Sequence, residues 1–285
     1  MRILHVSRTM GQGGAEKIVF QLCRDNIKQE QMVVSCGGTY VGELEEIGIK
    51  HYMMPDLDRK KISAILGCFF AIWRVVKKEK IDIIHSHHRM AAFYARIISI
   101  LTGAKTIYTA HNVFYDKAKL TRFSLKGSCI VAVGDGVKRN LIDYFGIDER
   151  RIMTIYNSIP IAETLESEPC FDGLRELGKG LVGTIGRITE QKGMDIFVNA
   201  IAECNIKGLN IVGIIIGDGE DKGELEEVVK EKNLDNDILF LGFRKNVPSI
   251  IRQLDFVVLA SRWEGLPLVP IEVFYQGKKI IASKI

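Results

Sequence analysis

Two glutamates flank a chain reversal near the end of this sequence. Glu264 lies in Ser261-Arg262-Trp263-Glu264-Gly265-Leu266-Pro267, and Glu272 closes the run Leu268-Val269-Pro270-Ile271-Glu272. Carboxylates so placed accept hydrogen bonds from hydroxyls, while the open amides of a helix start donate to an anion. A sugar phosphate would use both. Earlier in the chain, Gly186-Arg187-Ile188-Thr189-Glu190-Gln191-Lys192-Gly193 offers two cations of different kinds. The guanidinium of Arg187 presents planar, bidentate donors and the ammonium of Lys192 a mobile point charge, a pairing suited to a diphosphate. Each charged hydrogen bond contributes on the order of 1.5–3 kcal/mol.

These residues need elements to hold them. Phe256-Val257-Val258-Leu259 reads as a buried parallel strand before the first glutamate. Gly265 and Pro267 break the chain, and Pro270 suits the first helical position, where its missing N–H is not needed. That start puts Glu272 in the first helical turn, compatible with the positive end of the dipole. The same strand-then-helix alternation runs through the whole chain. Strands are expected at 3–6, 32–35, 49–53, 81–85, 106–109, 129–133 and 152–155, with helices at 15–28, 62–78, 91–101 and 137–144. After a polar stretch at 159–179 containing Pro160 and Pro169, the pattern restarts, with strands at 180–185, 211–216, 238–241, 256–259 and 280–282. The expected α/β architecture is two Rossmann-like, doubly wound parallel-sheet domains, 1–158 and 180–285, joined by a 159–179 linker and facing each other across a binding cleft.

Composition narrows the partners. Hydrophobic residues make up 47% and charged residues 26% of 285 residues, the proportions of a globular protein. Six scattered cysteines without a CxxC pair read as reduced thiols of a cytoplasmic protein. The most apolar window, 62–76, is too short for a membrane span, which takes about 20 residues. It is expected to be a core helix, although Lys60-Lys61 and Lys77-Lys78 flanking it also suit a helix lying on a membrane. Residues 1–158 hold 24 Lys and Arg against 15 Asp and Glu (+9), and residues 159–285 hold 15 against 20 (−5). A basic first half allows peripheral contact with acidic lipids on the inner face of the cell membrane. Nucleic acid is not expected, because no aromatic-basic stacking module is present. His85, His87 and His88 are spaced as if for a metal, but no Cys or carboxylate set accompanies them.

Five clusters in order carry a family resemblance: Gly11-Gln12-Gly13-Gly14-Ala15-Glu16, the 186–193 loop, Ile216-Gly217-Asp218-Gly219, Leu241-Gly242-Phe243-Arg244, and the glutamate pair. The set resembles the family 4 glycosyltransferases, retaining enzymes of the GT-B fold. The resemblance implies a nucleotide-sugar donor, a UDP-sugar favoured, and a saccharide or lipid-linked acceptor in envelope, capsule or exopolysaccharide synthesis. It assigns Arg187 and Lys192 to the diphosphate and Glu272 to the ribose. It assigns Glu264, with the amides of Gly265 and Leu266, to the transferred sugar. Phe243 and Val247 fall where the family positions the base, Gly13 and Gly14 where the backbone nears phosphate or sugar, and His111 at the active-site histidine. Catalytic work would fall to His111, Arg187, Lys192 and Glu264. No cofactor and no metal are expected, in keeping with the lack of an Asp-x-Asp motif.

Two departures belong with the resemblance. Family members continue beyond the strand at 280–282, so the second domain reads as incomplete, with an exposed apolar region and a tendency to oligomerise or recruit a partner subunit. Lys279 replaces a usual proline. Two rival functions stay open: a catalytically silent nucleotide-sugar-binding subunit, and a GT-B-fold UDP-sugar epimerase.

Overall fold

A computed structural model describes residues 1–26, 28–160 and 171–285. The chain divides into two compact units, Met1–Asn157 and Ser158–Ile285. Most of the expected 159–179 linker, residues 161–170 with Pro169 and Cys170, lies outside the described residues. The remainder joins the second unit, where the helix Asp172–Glu176 follows Phe171, a buried member of that unit's core. Cys23, Cys36, Cys68, Cys129 and Cys204 are free thiols.

The first unit is a seven-stranded parallel sheet in the order β3-β2-β1-β4-β5-β6-β7. Its strands are β1 (Arg2–Val6), β2 (Glu30–Ser35), β3 (Lys50–Met53), β4 (Ile83–Ser86), β5 (Lys105–Ala110), β6 (Cys129–Ala132) and β7 (Ile152–Thr154). Its helices are α1 (Gly14–Asp25), α2 (Tyr40–Glu46), α3 (Ile62–Lys78), α4 (Arg89–Thr102), α5 (Ala118–Ser124) and α6 (Asp135–Asp143). Leu4, Val6, Val34 and Ile84 project from the central strands onto Cys68, Ile72 and Val75 of α3 and Tyr94 and Ile98 of α4. Met10, Val19, Cys23, Val33 and Leu44 form a separate cluster with α1 and α2. Short apolar runs bounded by polar turns can only satisfy both faces of a strand when helices cover both, which is the doubly wound solution.

α3 takes the bounds expected from its periodicity but is not enclosed. Ala64, Cys68, Ile72, Val75 and Val76 face the core, while Ile62 (75% exposed), Leu66 (51%) and Phe70 (45%) line the opposite side. The helix packs on the sheet as expected, through one face, and leaves the other exposed.

The second unit holds five parallel strands in the order β10-β9-β8-β11-β12. These are β8 (Gly180–Ile185), β9 (Ile211–Ile216), β10 (Ile238–Gly242), β11 (Phe256–Leu259) and β12 (Lys279–Ala282). Its helices are α7 (Asp172–Glu176), α8 (Met194–Ile206), α9 (Lys222–Glu231), α10 (Val247–Gln253) and α11 (Leu268–Tyr275). One core cluster (Leu181, Ile185, Val212, Ile214, Ile251, Val257, Val273) lies on the α10 and α11 side, the other (Val182, Ile215, Phe197, Val198, Leu225, Val229) on the α8 and α9 side. Ile281 on the edge strand β12 and Phe274 and Tyr275 at the end of α11 are exposed.

Both sheets change winding direction once, between β1 and β4 in the first unit and between β8 and β11 in the second. At such a switch point the loops leaving the strands' carboxyl ends diverge and open a crevice. The chemistry-bearing residues are concentrated at these two places.

Candidate active site

In the second unit, two loops leave β8 and β11 side by side. Residues 190–192 form a single 3-10 turn, and Gly193 continues in the left-handed region with φ 62°. A Cβ on Gly193 would lie 2.2 Å from the carbonyl oxygen of Ala260, so only glycine lets the two loops approach this closely. Arg262 fastens them further. Its backbone N–H donates to the Gln191 carbonyl (2.8 Å), and its guanidinium donates to the Glu190 carbonyl (2.7 Å) and to both carboxylate oxygens of Asp195 (3.0 and 2.7 Å). These bonds are exposed and contribute modestly to stability. Their consequence is geometric: they set the height of Lys192 against Glu264.

Those two side chains meet. The Lys192 ammonium donates to Glu264 Oε1, and both side chains are largely shielded from solvent. Ser261 Oγ donates to the same oxygen (2.8 Å), and Gln191 Nε2 reaches Glu264 Oε2 (3.4 Å) and the Trp263 carbonyl (2.9 Å). A carboxylate held by three side chains is fixed in rotamer, and so is the cation on it. The methylenes of Lys192 run past Gly186, 3.4 Å from where a Cβ would stand. Arg187 is half-buried on this same loop. From the neighbouring strand, Gly217 (φ 143°) closes the floor: a Cβ there would fall 1.9 Å from the Gly186 carbonyl oxygen. A lysine and a carboxylate thus share one crevice mouth, with an arginine on the same loop, a set able to hold a diphosphate beside a hydroxylated group.

The glutamate pair needs two corrections. α11 begins at Leu268 with Pro267 as the preceding cap, so Pro270 occupies the third helical position rather than the first. Glu272 accordingly lies in the second turn and is buried (6% exposed). The helix starts early because Leu268 and Val269 are both buried and draw the chain inward. Proline is tolerated at the third position for the reason expected at the first, since none of the first four N–H groups has an intrahelical partner. Gly265 and Leu266 are half-buried on the loop between the glutamates. Phe243 follows β10 directly, and Val247 opens α10 with its side chain packed partly against the core.

In the first unit, the switch point is filled by imidazoles. His5 on β1 sits beside His85 on β4 in register. His5 Nδ1 lies 3.1 Å from His87 Nε2, and His87 Nδ1 lies 3.1 Å from His111 Nε2, where the chain leaves β5. Behind them, Gln31 Oε1 is 3.0 Å from His5 Nε2. His85 Nε2 bonds Thr109 Oγ1 (2.8 Å). Burial pushes the pKa of His5 and of His111 down to about 4, and those of His85 and His87 well below the usual imidazole value. These groups are neutral at ordinary pH. His87 is buried inside this network, and His88 caps α4 by accepting from the Met90 N–H (3.3 Å). Gly13, with φ −94°, is the extended residue before α1, and Gly14 is its exposed first residue.

His5, Gln31, Ser261 and Gln191 join the site although no motif in the sequence marks them. A histidine inside the apolar run Ile3-Leu4-His5-Val6 was the available signal, because a buried imidazole must be hydrogen-bonded.

Known proteins resemble this chain over both of its units. The sequence profile "Glycosyltransferase Family 4" matches residues 12–163, and "Glycosyl transferases group 1" matches residues 171–285. The Escherichia coli UDP-Gal:alpha-D-GlcNAc-diphosphoundecaprenol alpha-1,3-galactosyltransferase is 26% identical over all of this chain and 80% of its own length. A Campylobacter jejuni alpha-1,4-N-acetyl-D-galactosaminyltransferase acting on a diNAcBac-PP-undecaprenol-linked saccharide is 27% identical over 96% of this chain and 77% of its own. Anabaena HepE, solved in complex with UDP-glucose, superposes with a TM-score of 0.77 at 20% identity, covering 100% of this chain and 80% of that one.

Proposed function

The chain belongs to glycosyltransferase family 4 and is a glycosyltransferase of the GT-B fold, and from that premise we propose that it moves a sugar from a UDP-sugar to a lipid-linked saccharide in cell-surface polysaccharide synthesis, with retention of anomeric configuration and without a metal ion. The observation that carries this reading is the Lys192–Glu264 contact at the switch point of the second sheet, with Arg187 on the same loop. The relatives that act on undecaprenol-linked sugars, and HepE with its UDP-glucose, support the choice of donor and acceptor.

The division of labour follows from the chemistry of each unit. Arg187 and Lys192 neutralise the diphosphate as the glycosidic bond to it breaks, and their cations supply the charge that a divalent metal would otherwise bring. Glu272 takes the ribose hydroxyls, Glu264 and the amides of Gly265 and Leu266 the transferred sugar, and Phe243 and Val247 the base. His111 is a catalytic residue of the first unit, and the Gly13-Gly14 turn lies against phosphate or sugar; the acceptor hydroxyl attacks from the face the diphosphate leaves, and the departing phosphate takes its proton. Catalysis is then positioning plus electrostatic stabilisation. The acceptor's lipid brings the enzyme to a membrane. The exposed Ile62, Leu66 and Phe70 stripe of α3, flanked by Arg59, Lys60, Lys61, Arg74, Lys77 and Lys78, suits contact with an acidic bilayer surface. Among the described residues, no helix is long and apolar enough to cross one.

A thermal-shift screen against UDP-, GDP- and ADP-sugars tests the donor, followed by product analysis with a GlcNAc-diphosphate-lipid acceptor. Stabilisation by UDP-sugars and an α-linked product are expected. A β-linked product from an α-donor, or epimerised sugar without acceptor, rules the assignment out.

A further inference from the structure

The hydrogen bonds around Gln31 fix a direction for the whole imidazole series. Gln31 Nε2 donates to the backbone carbonyls of Cys23 (3.1 Å) and Asn26 (3.0 Å). Carbonyls only accept, so the amide cannot be turned over, and Oε1 must be the atom facing His5. Oε1 also only accepts, so His5 carries its proton on Nε2. A neutral imidazole has one proton, which leaves His5 Nδ1 bare, and the bond to it (3.1 Å) must be donated by His87 Nε2–H. His87 Nδ1 is bare in turn, and His111 Nε2–H is the donor of the next bond, also 3.1 Å. His111 Nδ1 is then bare too, and among the described residues no hydrogen bond engages it. The rings are roughly parallel, with centroids 5.4 Å apart at both steps, as hydrogen-bonded neighbours held by packing would be.

We infer that Gln31, His5 and His87 are positioning residues that hold His111 as its Nε2–H tautomer, so that His111 Nδ1 accepts a hydrogen bond from a sugar hydroxyl of the substrate. This rests on the reading of His111 as an active-site residue. The burial that keeps each ring neutral supports it. An uncharged acceptor discriminates by hydrogen-bond direction: it takes a hydroxyl and gives an anionic phosphate nothing. The first unit would thereby select for sugar where the second selects for diphosphate. The nitrogens of His5, His85 and His87 also lie within 4.8 Å of one another, close enough to share a metal ion. A bound metal would claim the lone pair that the hydrogen-bond reading leaves to His87 Nε2–H, so the two are mutually exclusive.

Nitrogen-15 correlation spectra of the imidazole rings decide between them in the whole protein. Neutral Nε2–H patterns are expected for His5, His87 and His111 at pH 7, and Gln31→Met is expected to turn His111 into a tautomer mixture. In the same variant, one of two affinities falls about 3- to 10-fold, the loss of one uncharged hydrogen bond. A weaker dissociation constant for UDP-glucose with that for UDP unchanged identifies a donor hydroxyl. A raised KM for a GlcNAc-diphosphate-lipid acceptor identifies an acceptor hydroxyl. The wild-type spectrum is decisive alone should Gln31→Met not fold. An Nδ1–H pattern at His87 or His111, zinc retained through dialysis, or both affinities unchanged in folded Gln31→Met would overturn the proposal. A failure of the His111 reading itself looks different: the tautomers are as expected, yet His111→Ala leaves both affinities intact while Lys192→Ala still weakens UDP.

Discussion

The two sheets are wound alike and reverse at equivalent places, yet the crevices opened there are filled with opposite chemistry. Between β1 and β4 the first unit buries a series of neutral imidazoles, tied through Gln31 to backbone carbonyls. Between β8 and β11 the second unit sets a lysine against a carboxylate at the loop mouth, with an arginine nearby. A fold supplies the location; the side chains at the switch point decide what is bound there. Charge suits a diphosphate, whose negative charge grows as it leaves. Neutral acceptors suit hydroxyls, which gain nothing from a cation.

The largest expected effect breaks the charged side. Lys192→Ala and Arg187→Ala should each lower the transfer rate by about 100-fold or more. A rate within a few-fold of wild type would remove the cation from the mechanism. Next comes the backbone beneath it. Gly217→Ala should destabilise the second unit by about 2–4 kcal/mol in urea unfolding, because its Cβ would fall 1.9 Å from the Gly186 carbonyl oxygen at φ 143°. An unaffected midpoint would mean that the two loops are not in contact.

The neutral side is sharpened by pH. His5 has its pKa pushed down to about 4 in the fold against an ordinary value of 6.5. As pH falls from about 6.5 toward 4, the unfolded chain takes up the proton first and folding stability drops, by roughly 3 kcal/mol from this residue. Above pH 6.5 the effect is absent. Urea titrations across that range check it, and His5→Gln should flatten the slope. The smallest effect on the fold falls on the exposed face of α3. Leu66→Ser with Phe70→Ser should change stability by less than about 0.5 kcal/mol while abolishing sedimentation with phosphatidylglycerol vesicles. Retained sedimentation would assign the membrane contact elsewhere.

How much of this was readable beforehand depends on the kind of signal. β8, β9 and β11 have the bounds expected from apolar runs, and α3 those expected from its periodicity, because burial on a repeating face is written directly in residue order. α2 and α5, at seven residues each, are too short to show a period. The shift of Glu272 into the second turn came from burial of Leu268 and Val269, a tertiary preference that a local proline rule does not contain. Lys192 and Glu264 were expected in one site and do meet. Their alignment through Arg262 and Asp195 pairs positions 67 residues apart, and no spacing rule reaches that far. The imidazole series is harder still to see. Gln31 and His5 lie on β2 and β1, and His87 and His111 are the first residues beyond β4 and β5. Only the strand order β2-β1-β4-β5 brings the four into line.

Calorimetric titration of UDP into wild type, Lys192→Ala and His111→Ala tests the contrast most directly. Binding at least about 10-fold weaker is expected for Lys192→Ala, the loss of one charged hydrogen bond, and no change for His111→Ala. Equal affinity in wild type and Lys192→Ala, or a loss confined to His111→Ala, would contradict it.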